Sequence, residues 1–538
     1  MLAGATSWVR RYLALLATFV ALAPFAAAAI ADTVRSVDHR WGDLALIELA
    51  TDDVGSHPVL LGPYSRFGWH HPGPALFYLL ALPYRLSGAS SFGISIGGAI
   101  ITGAAAAGIA WIAYRRGGRP LLLWTLVVVS LFVYATGRVV ADVWNPWVTI
   151  LPFALTVLLA WSVACRDLWA FPALVGVASF VVQTHVAYLP TVLVVSGAGI
   201  VIAVLALARD KEGHQRRRQA TAVGLVAAAV AAALWVLPVV EQFAHEPGNV
   251  GNLVSYWRDS ESEHGFRQSL DVASAEVGVI AGTAVGNRET PGRSSTRTWH
   301  WTALLSAAAL AAAAAIAVRR RWWDLLALAT LTGAAWLVAA YSLTRVTGSL
   351  LLYLTAWVAA LGIPLWITAG VAVIRLGVDE PPRRWMSDPK TKGAVLIATL
   401  LVLVGLAIAN IDGLSAEPER GRRAAIVDHA LDVADEAVAG SECGPIRVRI
   451  GNGGKWLAWA VILRLEREGV DVAAERTDVT ELHLDDWYLI DPADEGTVLI
   501  AGHPRGGDQL DDRLRVVEYA CPDRDQSTGT RPARSSPT

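Results

Sequence analysis

Apolar runs about as long as a membrane-spanning helix recur along this 538-residue chain. Two of them, residues 91–114 and 187–208, contain no charged residue. A helix needs roughly 20 apolar residues to cross the hydrocarbon core of a bilayer. Only 17% of the residues are charged, whereas a soluble protein carries about a quarter. The chain is therefore predicted to be an α-helical polytopic membrane protein. The sequence has no long basic patch of the kind that would indicate a nucleic acid partner.

The distribution of basic residues decides how many of these runs cross the membrane. The run from Pro72 to Tyr84 would reach only about 20 Å, against a hydrocarbon core about 30 Å thick. If this run stays outside the bilayer, the short inner loops hold nineteen Lys and Arg residues, and the much longer outer loops between the spans hold eleven. That bias satisfies the positive-inside rule for a plasma membrane protein with a cytoplasmic N-terminus and an extracytoplasmic C-terminus. About eleven spans are predicted, at residues 12–31, 91–114, 120–135, 147–165, 168–184, 187–208, 220–240, 301–318, 322–341, 349–374 and 393–410. The first resembles a signal peptide in outline, but its length favours a retained helix.

This topology divides the chain into a transmembrane domain at 1–410, an extracytoplasmic α/β domain at 411–522 and a polar tail at 523–538 that is predicted to be disordered. The transmembrane domain has two long outer loops, 32–90 and 241–300. In the α/β domain, the patterns predict helices at 422–439 and 455–469 and strands at 445–451, 497–502 and 513–520.

Two features of the α/β domain carry alternative interpretations. The stretch "GNGGKW" (451–456) follows a strand and opens a helix, as a phosphate loop does. It lacks the spacing of the known phosphate-binding motifs, so a tight strand-to-helix turn is favoured. Cys443 and Cys521 are a disulfide candidate if the domain is exported, and two ordinary thiols if it is not. The third cysteine, Cys165, falls at a cytoplasmic helix end and is predicted to be inert.

Polar residues gather on the predicted outer face. "DLALIELA" (43–50) predicts a short helix at the membrane surface, with Asp43 at its start and Glu48 on an adjacent stripe. Asp43 could cap this helix or act in chemistry. "WHHPGPALFYLL" (69–80) predicts a second juxtamembrane helix preceded by His70 and His71. The other candidates on this face are Arg66, Arg138, Asp142, His185 and Arg345.

These elements resemble the membrane-embedded glycosyltransferases of the GT-C fold, which use polyprenyl-phosphate sugars as donors. Members include protein O-mannosyltransferases, lipid A aminoarabinose transferases and actinobacterial arabinofuranosyltransferases. "GDLALIELA" is similar to the family's first juxtamembrane helix, "WHHPGPALFYLLALPYRLSG" to its second, and Arg138 with Asp142 to its R-x₃-D pattern. The resemblance covers residues 1–410 and leaves the α/β domain unexplained. Many relatives have two adjacent acids where this chain has Asp43 and Leu44, which weakens the case for a metal there.

The chemistry that the resemblance implies suits these residues. A polyprenyl phosphate leaves without a strong general acid, so one carboxylate is enough to take the proton from the acceptor hydroxyl, and Asp43 is the candidate. The reaction would invert the anomeric carbon. Arg66, Arg138 and Arg345 are candidates for the donor phosphate, although Arg345 could equally be extending to the interface.

Several of the remaining candidate site residues have an alternative role. His70, His71, His185 and Asp142 are candidates for contact with donor or acceptor, with Glu48 as a secondary acid. Asp142 could instead pair with Arg138, and His185 could be an ordinary loop histidine. A divalent metal stays open, although adjacent histidines on a helix point about 100° apart and would not both bind one ion.

The predicted function is transfer of a sugar to a cell-envelope glycan, glycolipid or protein. The alternatives are a transporter or flippase of lipid-linked sugars, which would carry polar residues at the bilayer midplane, and a non-catalytic assembly protein. High Ala, Arg and Trp usage suggests a GC-rich actinobacterium, which makes arabinose and mannose the first sugars to consider.

Overall fold

The structure falls into two compact units. The computed structural model describes residues 2–34, 40–137, 142–209, 214–260, 262–286, 301–379, 389–413, 418–440, 445–451, 453–492, 496–502 and 514–519. The first unit comprises Met1–Asp38 and Ala50–Glu417, and the second comprises His39–Leu49 and Pro418–Thr538. A short stretch of the first outer loop, His39–Leu49, thus belongs with the C-terminal part of the chain rather than with the membrane helices.

The first unit is built almost entirely of helices. Helix α2 begins in the second unit and ends in the first. The helices up to residue 413 are α1 (Leu2–Val34), α2 (Asp43–Asp52), α3 (Ala75–Leu86), α4 (Ser91–Thr136), α5 (Asn145–Val148), α6 (Ile150–Ala164), α7 (Ala170–Thr184), α8 (Leu189–Ala208), α9 (His214–Ala244), α10 (Asn249–Asp259), α11 (Phe266–Val277), α12 (Val279–Ala284), α13 (Trp301–Arg320), α14 (Trp323–Thr344), α15 (Leu352–Thr355), α16 (Gly362–Asp379) and α17 (Pro389–Gly413). Two 3₁₀ helices, Val186–Tyr188 and Ala356–Leu361, precede α8 and α16.

The long apolar helices confirm the predicted polytopic fold. In the described part of the chain, nine helical segments are long and apolar enough to cross a membrane. One of these, α4, has 46 residues, but Gly118 has φ 62° and ψ −155° and breaks it into two helices just before Pro120. Helix α7 is apolar but has only 15 residues. With α4 counted twice and the shorter α7 included, the described residues contain eleven apolar helical segments at the predicted positions.

Helix α6 lies at the centre of the first unit. All fifteen of its residues are buried, and α4, α7, α8 and α14 pack around it. Helices α8, α9 and α17 instead expose large apolar side chains such as Leu193, Leu225 and Leu401. Apolar side chains exposed over long helices are what a bilayer would cover.

Helix α3 is the second predicted juxtamembrane helix. Its twelve residues are too few to span, because they reach only about 18 Å. Leu76 and Leu80 are fully buried where α3 packs against α4, while Leu79 and Leu82 on the other face are exposed. The two helices approach closely because α4 has a glycine at this contact: a Cβ on Gly93 would lie 2.6 Å from the Pro83 carbonyl oxygen.

The second unit contains a mixed five-stranded sheet. Its order is β5-β4-β3-β6-β7, with β7 antiparallel to β6 and the other neighbours parallel. The strands are β3 (Ile446–Ile450), β4 (Val472–Glu475), β5 (Leu489–Ile490), β6 (Gly496–Ala501) and β7 (Leu514–Tyr519), and the helices are α18 (Pro418–Gly440), α19 (Lys455–Arg467) and α20 (Asp478–His483). This is the predicted small α/β domain, with β4, β5 and α20 added.

The glycine-rich stretch after β3 is a tight turn. Gly453 has a positive φ of 70°. A Cβ on Gly454 would lie 2.0 Å from the carbonyl oxygen of Ala501, at the end of β6. The glycines therefore allow the loop to pack directly on the neighbouring strand, which agrees with the favoured interpretation of a strand-to-helix turn. Cys443, Cys521 and the tail at 523–538 lie outside the described residues.

Candidate functional site

A β-hairpin places two groups of predicted site residues in the first unit. Strand β1 (Tyr64–Ser65) pairs antiparallel with β2 (Trp69–His70), and Gly68 makes the turn with φ 81°. Arg66 lies in this turn and is exposed, while His70 and His71 follow at the end of β2. The His71 N–H donates to the Pro63 carbonyl at 2.8 Å, which continues the hairpin as far as the start of α3.

Asn249 fixes the backbone of His70. Its side-chain oxygen accepts the His70 N–H at 2.8 Å, and its amide donates to the His70 carbonyl at 2.9 Å. Both carboxylate oxygens of the buried Glu241 accept the backbone N–H of Asn249, at 3.1 and 3.0 Å. The Asn249 amide thus satisfies both the N–H and the carbonyl of His70, as a neighbouring β-strand would, so the end of the hairpin is held rigidly.

His71 and His185 form a buried stacked pair. Their ring centroids are 4.7 Å apart with an interplanar angle of 27°, and each residue is 5% exposed. Nδ1 of His71 accepts the backbone N–H of Val186 at 3.2 Å, so its ring proton lies on Nε2 when the ring is neutral. Nδ1 of His185 is buried without a hydrogen-bond partner among the described residues.

Burial keeps both rings neutral at physiological pH. It lowers the pKa of His185 to about 4. It also holds the pKa of His71 well below its usual range, with His185 and His70 adding to the effect. Neutral imidazoles offer one donor and one acceptor each, which suits hydrogen bonds with uncharged hydroxyl groups.

Aromatic rings continue from this pair in both directions. Toward the hairpin turn, Trp69 meets His71 edge-on at 5.4 Å, and Tyr256 lies 5.5 Å from Trp69. Toward α8, Tyr188 meets His185 edge-on at 5.7 Å and in turn lies 4.8 Å from Trp357. Aromatic rings form flat, rigid surfaces at low conformational cost, so the histidine pair sits within a preorganised wall.

Arg66 contacts the loop that carries Arg345. Arg66 Nη2 donates to the Thr347 carbonyl at 3.3 Å, and the hydroxyl of Tyr256 donates to that of Thr347 at 2.8 Å. Arg345, two residues before Thr347, donates to the carbonyl oxygens of Trp257 and Ser260 at 2.6 and 2.9 Å and to the hydroxyl of Ser262 at 3.2 Å. Three of the five N–H groups of Arg345 thus donate hydrogen bonds to other protein atoms. Arg66 is exposed, and among the described residues its guanidinium donates one long hydrogen bond.

Asp142 accepts the backbone N–H of Trp144 at 3.0 Å and so starts the turn into α5. Nearby, Asn145 donates to the carbonyl of Thr184, the residue before His185, at 3.4 Å. The segment of Asp142 is thereby tied to the histidine pair. Its predicted partner, Arg138, lies outside the described residues.

Asp43 and Glu48 belong to the second unit. Asp43 is the first residue of α2 and half-buried. A carboxylate there is stabilised by the helix dipole. Glu48 is fully buried and pairs with Arg40 at 3.2 Å and Arg467 at 3.6 Å. Two arginines therefore already neutralise the predicted secondary acid.

The described residues contain no group of three or more His, Cys, Asp or Glu side chains that could hold a metal ion. No sequence pattern had identified Asn249, Glu241 or Tyr256 as site residues. The "EPGN" turn at 246–249 could have identified the start of α10, since Pro and Gly mark turns. It could not have identified His70 as the partner of Asn249, because 179 residues separate them.

Comparison with solved structures establishes the fold. No family model matches the chain, and no curated protein is similar to it in sequence. The chain is similar to ArnT from Cupriavidus metallidurans bound to undecaprenyl phosphate, with a TM-score of 0.52, 14% identity, and coverage of 92% of this chain and 93% of that chain. For ArnT in the apo state the TM-score is 0.49 at 12% identity, with 93% of each chain covered. The protein has the GT-C fold of membrane-embedded glycosyltransferases, as the sequence predicted.

Proposed function

We propose that this protein is an inverting glycosyltransferase that moves a sugar from a polyprenyl-phosphate donor to an envelope acceptor. The observation that carries the proposal is the fold, which the chain shares over 92% of its length with a structure solved in complex with undecaprenyl phosphate. The neutral pair of His71 and His185 and the exposed Arg66 of the hairpin turn add groups suited to sugar hydroxyls and to a phosphate. The acceptor is a glycan, a glycolipid or a protein.

Asp43 is the proposed base. Its carboxylate takes the proton from the acceptor hydroxyl, and the oxygen attacks the anomeric carbon. The bond from that carbon to the phosphate oxygen breaks, and the lipid phosphate leaves with the electron pair. Because the acceptor attacks opposite the leaving group, the anomeric configuration inverts.

Arg66 is the first choice for the donor phosphate. Its guanidinium lies 4.8 Å from the centroid of the Phe67 ring, which orients it, and it is the more exposed of the two arginines at the Thr347 loop. A guanidinium with spare N–H groups can bind phosphate oxygens bidentately. Arg345 is proposed to contribute less directly, by holding the loop in place. His70, His71, His185 and Asp142 are proposed to contact the donor or the acceptor.

The proposed location is the outer leaflet of the plasma membrane. The nineteen Lys and Arg residues of the short predicted inner loops support a cytoplasmic N-terminus, with the hairpin and α3 outside. Donor and acceptor would then meet on the outer face. The high Ala, Arg and Trp usage of the sequence makes arabinose and mannose the first sugars to test.

The test uses purified protein in lipid vesicles with radiolabelled polyprenyl-phosphate sugars and an envelope extract as acceptor. The wild type should transfer label. Asp43→Asn should reduce transfer by about 100-fold or more while the protein still folds. Asp52→Asn is the matched control, because Asp52 is the last residue of the same helix and should keep full activity. Equal transfer by Asp43→Asn would eliminate Asp43 as the base. Label that crosses the bilayer without transfer would instead indicate a transporter.

A second experiment tests the proposed binding of the donor phosphate by Arg66. Arg66→Ala should raise the KM for the donor about tenfold, and Arg66→Lys should recover part of the loss, since lysine keeps the charge but not the bidentate geometry. Arg258→Ala is the control, because Arg258 is exposed near the end of α10. An unchanged donor KM in Arg66→Ala would contradict this role.

A further inference from the structure

The segment that carries Asp43 is built into the C-terminal α/β domain. His39–Leu49 forms one compact unit with the residues from Pro418 onward. Helix α19, which follows the tight turn after β3, contacts this segment at two places. One is just before Asp43, and the other is five residues after it.

The first contact fixes the start of α2. The backbone N–H of Gly42 donates to the carbonyl of Trp456 at 2.9 Å, and the carbonyl of Gly42 accepts the N–H groups of Ala45 and Leu46 at 3.0 and 3.3 Å. Gly42 has φ 57°, and a Cβ built on it would lie 3.8 Å from the Cβ of Trp456. The residue before Asp43 is thus held at both its N–H and its carbonyl.

The second contact is the buried ion pair of Glu48. Its carboxylate is fully buried, between Arg40 at 3.2 Å and Arg467 at 3.6 Å. A buried carboxylate is very unfavourable unless cations neutralise it. Arg467 is near the end of α19, whereas Trp456 is near its start. Two contacts separated along both helices determine the rotation of α2 about its axis as well as its position.

The surroundings of Asp43 on this side are charged. His483 lies in the electrostatic field of both Asp43 and Lys455. Its ring stacks on Trp459 of α19 at 5.4 Å, and its Nδ1 contacts the Val479 carbonyl at 2.6 Å. The α/β domain therefore supports α2 mechanically and also contributes a side chain, His483, that interacts electrostatically with the proposed base.

We propose that the α/β domain positions the catalytic carboxylate, with Trp456 and Arg467 as positioning residues that act through α2. This inference rests on the proposed function, because it takes Asp43 to be the base. It assigns a role to the C-terminal α/β domain in the chemistry of the proposed base. A base displaced by about 1 Å loses on the order of 100-fold in rate, so support of α2 would appear in kcat.

The first experiment compares two arginines of α19 in the full-length protein in vesicles. Arg467→Ala should lower kcat by about 10- to 100-fold and leave the donor KM within about twofold of the wild type. Arg464→Ala is the matched control, because Arg464 forms ion pairs with Asp435 and Glu468 rather than with α2. It should keep the wild-type kcat. An unchanged kcat in Arg467→Ala, or an equal fall in both variants, would overturn the proposal.

The second experiment does not depend on activity. The Cβ separation of 3.8 Å between positions 42 and 456 lies at the mean for disulfides. Gly42→Cys with Trp456→Cys should therefore crosslink on mild oxidation, as detected by mass spectrometry of the joined peptides. Gly42→Cys with Gly469→Cys is the control, because Gly469 also has a positive φ but a Cβ there would have no neighbour within 4 Å.

The two experiments combine in a rescue. In the Arg467→Ala background, the 42–456 disulfide should restore most of the lost kcat. If the disulfide fails to form in folded protein, the contact is absent and the proposal fails. If the disulfide forms but the wild type transfers no sugar from any donor, the proposed function fails while the support of α2 by the α/β domain stands.

Discussion

The stacked pair of His71 and His185 makes the stability of the first unit depend on pH. Burial lowers the pKa of His185 to about 4, from an ordinary value of 6.5. Between these two values the unfolded chain binds a proton at this position and the folded protein does not. Stability therefore falls as the pH falls through this window.

The size of the effect follows from the two pKa values. At about pH 5, the linkage relation gives a loss of about 2 kcal/mol relative to neutral pH from His185 alone. The lowered pKa of His71 acts in the same direction. His185→Phe keeps an aromatic ring for the 4.7 Å stack on His71 but removes the titration. We expect this variant to lose about 2 kcal/mol less than the wild type on acidification.

The assay is denaturant unfolding of the detergent-solubilised protein at a series of pH values, with the free energy of unfolding plotted against pH. His264→Gln is the control, because the imidazole of His264 makes a solvent-exposed contact with the Gly348 carbonyl. The free energy of unfolding of His264→Gln should depend on pH as that of the wild type does. If His185→Phe and the wild type give parallel curves from neutral pH to about pH 5, the stated linkage between burial and stability is refuted.

Two further substitutions test the local geometry. Asn249→Ala should destabilise the protein by about 2 kcal/mol, because the backbone N–H and carbonyl of His70 lose their partner. Asn249→Asp should lower the stability at least as much, because the new carboxylate would lie beside that of Glu241. Thermal unfolding measures both losses. If both variants were as stable as the wild type, the amide would be dispensable. Gly454→Ala should cost about 1–3 kcal/mol, because its Cβ would lie 2.0 Å from the Ala501 carbonyl oxygen. Gly405→Ala in α17, where a Cβ would have no neighbour within 4 Å, should cost less in the same assay, and equal losses would contradict the steric explanation.

The membrane fold could be predicted because its causes are local. Run length excluded Pro72–Tyr84 as a span, and the structure has α3 there, with twelve residues. The pair Gly117–Gly118 ahead of Pro120 separates two spans that would otherwise form one helix. Strand β4 was not predicted, because its four residues, "VAAE", are too few to show the alternation of apolar and polar side chains that indicates a strand.

The site could be predicted only in part, because residue type identifies a candidate but not its partners. The sequence identified both His71 and His185 but not their stacking. Arg345 was predicted as a phosphate ligand, and the structure shows it bound to the carbonyl oxygens of Trp257 and Ser260. The grouping of His39–Leu49 with the α/β domain depends on contacts over about 400 residues, which no local pattern records.

The buried pair of Glu48 and Arg467 also has a consequence for biosynthesis. The two residues are 419 positions apart, so the ribosome makes Glu48 early and its partner near the end of the chain. At about 5–20 residues per second, the interval is roughly 20–80 s. During that time the membrane helices can insert while α2 still lacks its partner helix. If the α/β domain supports α2 as proposed, a chain truncated before α19 should insert into the membrane but lack that support, and so transfer no sugar.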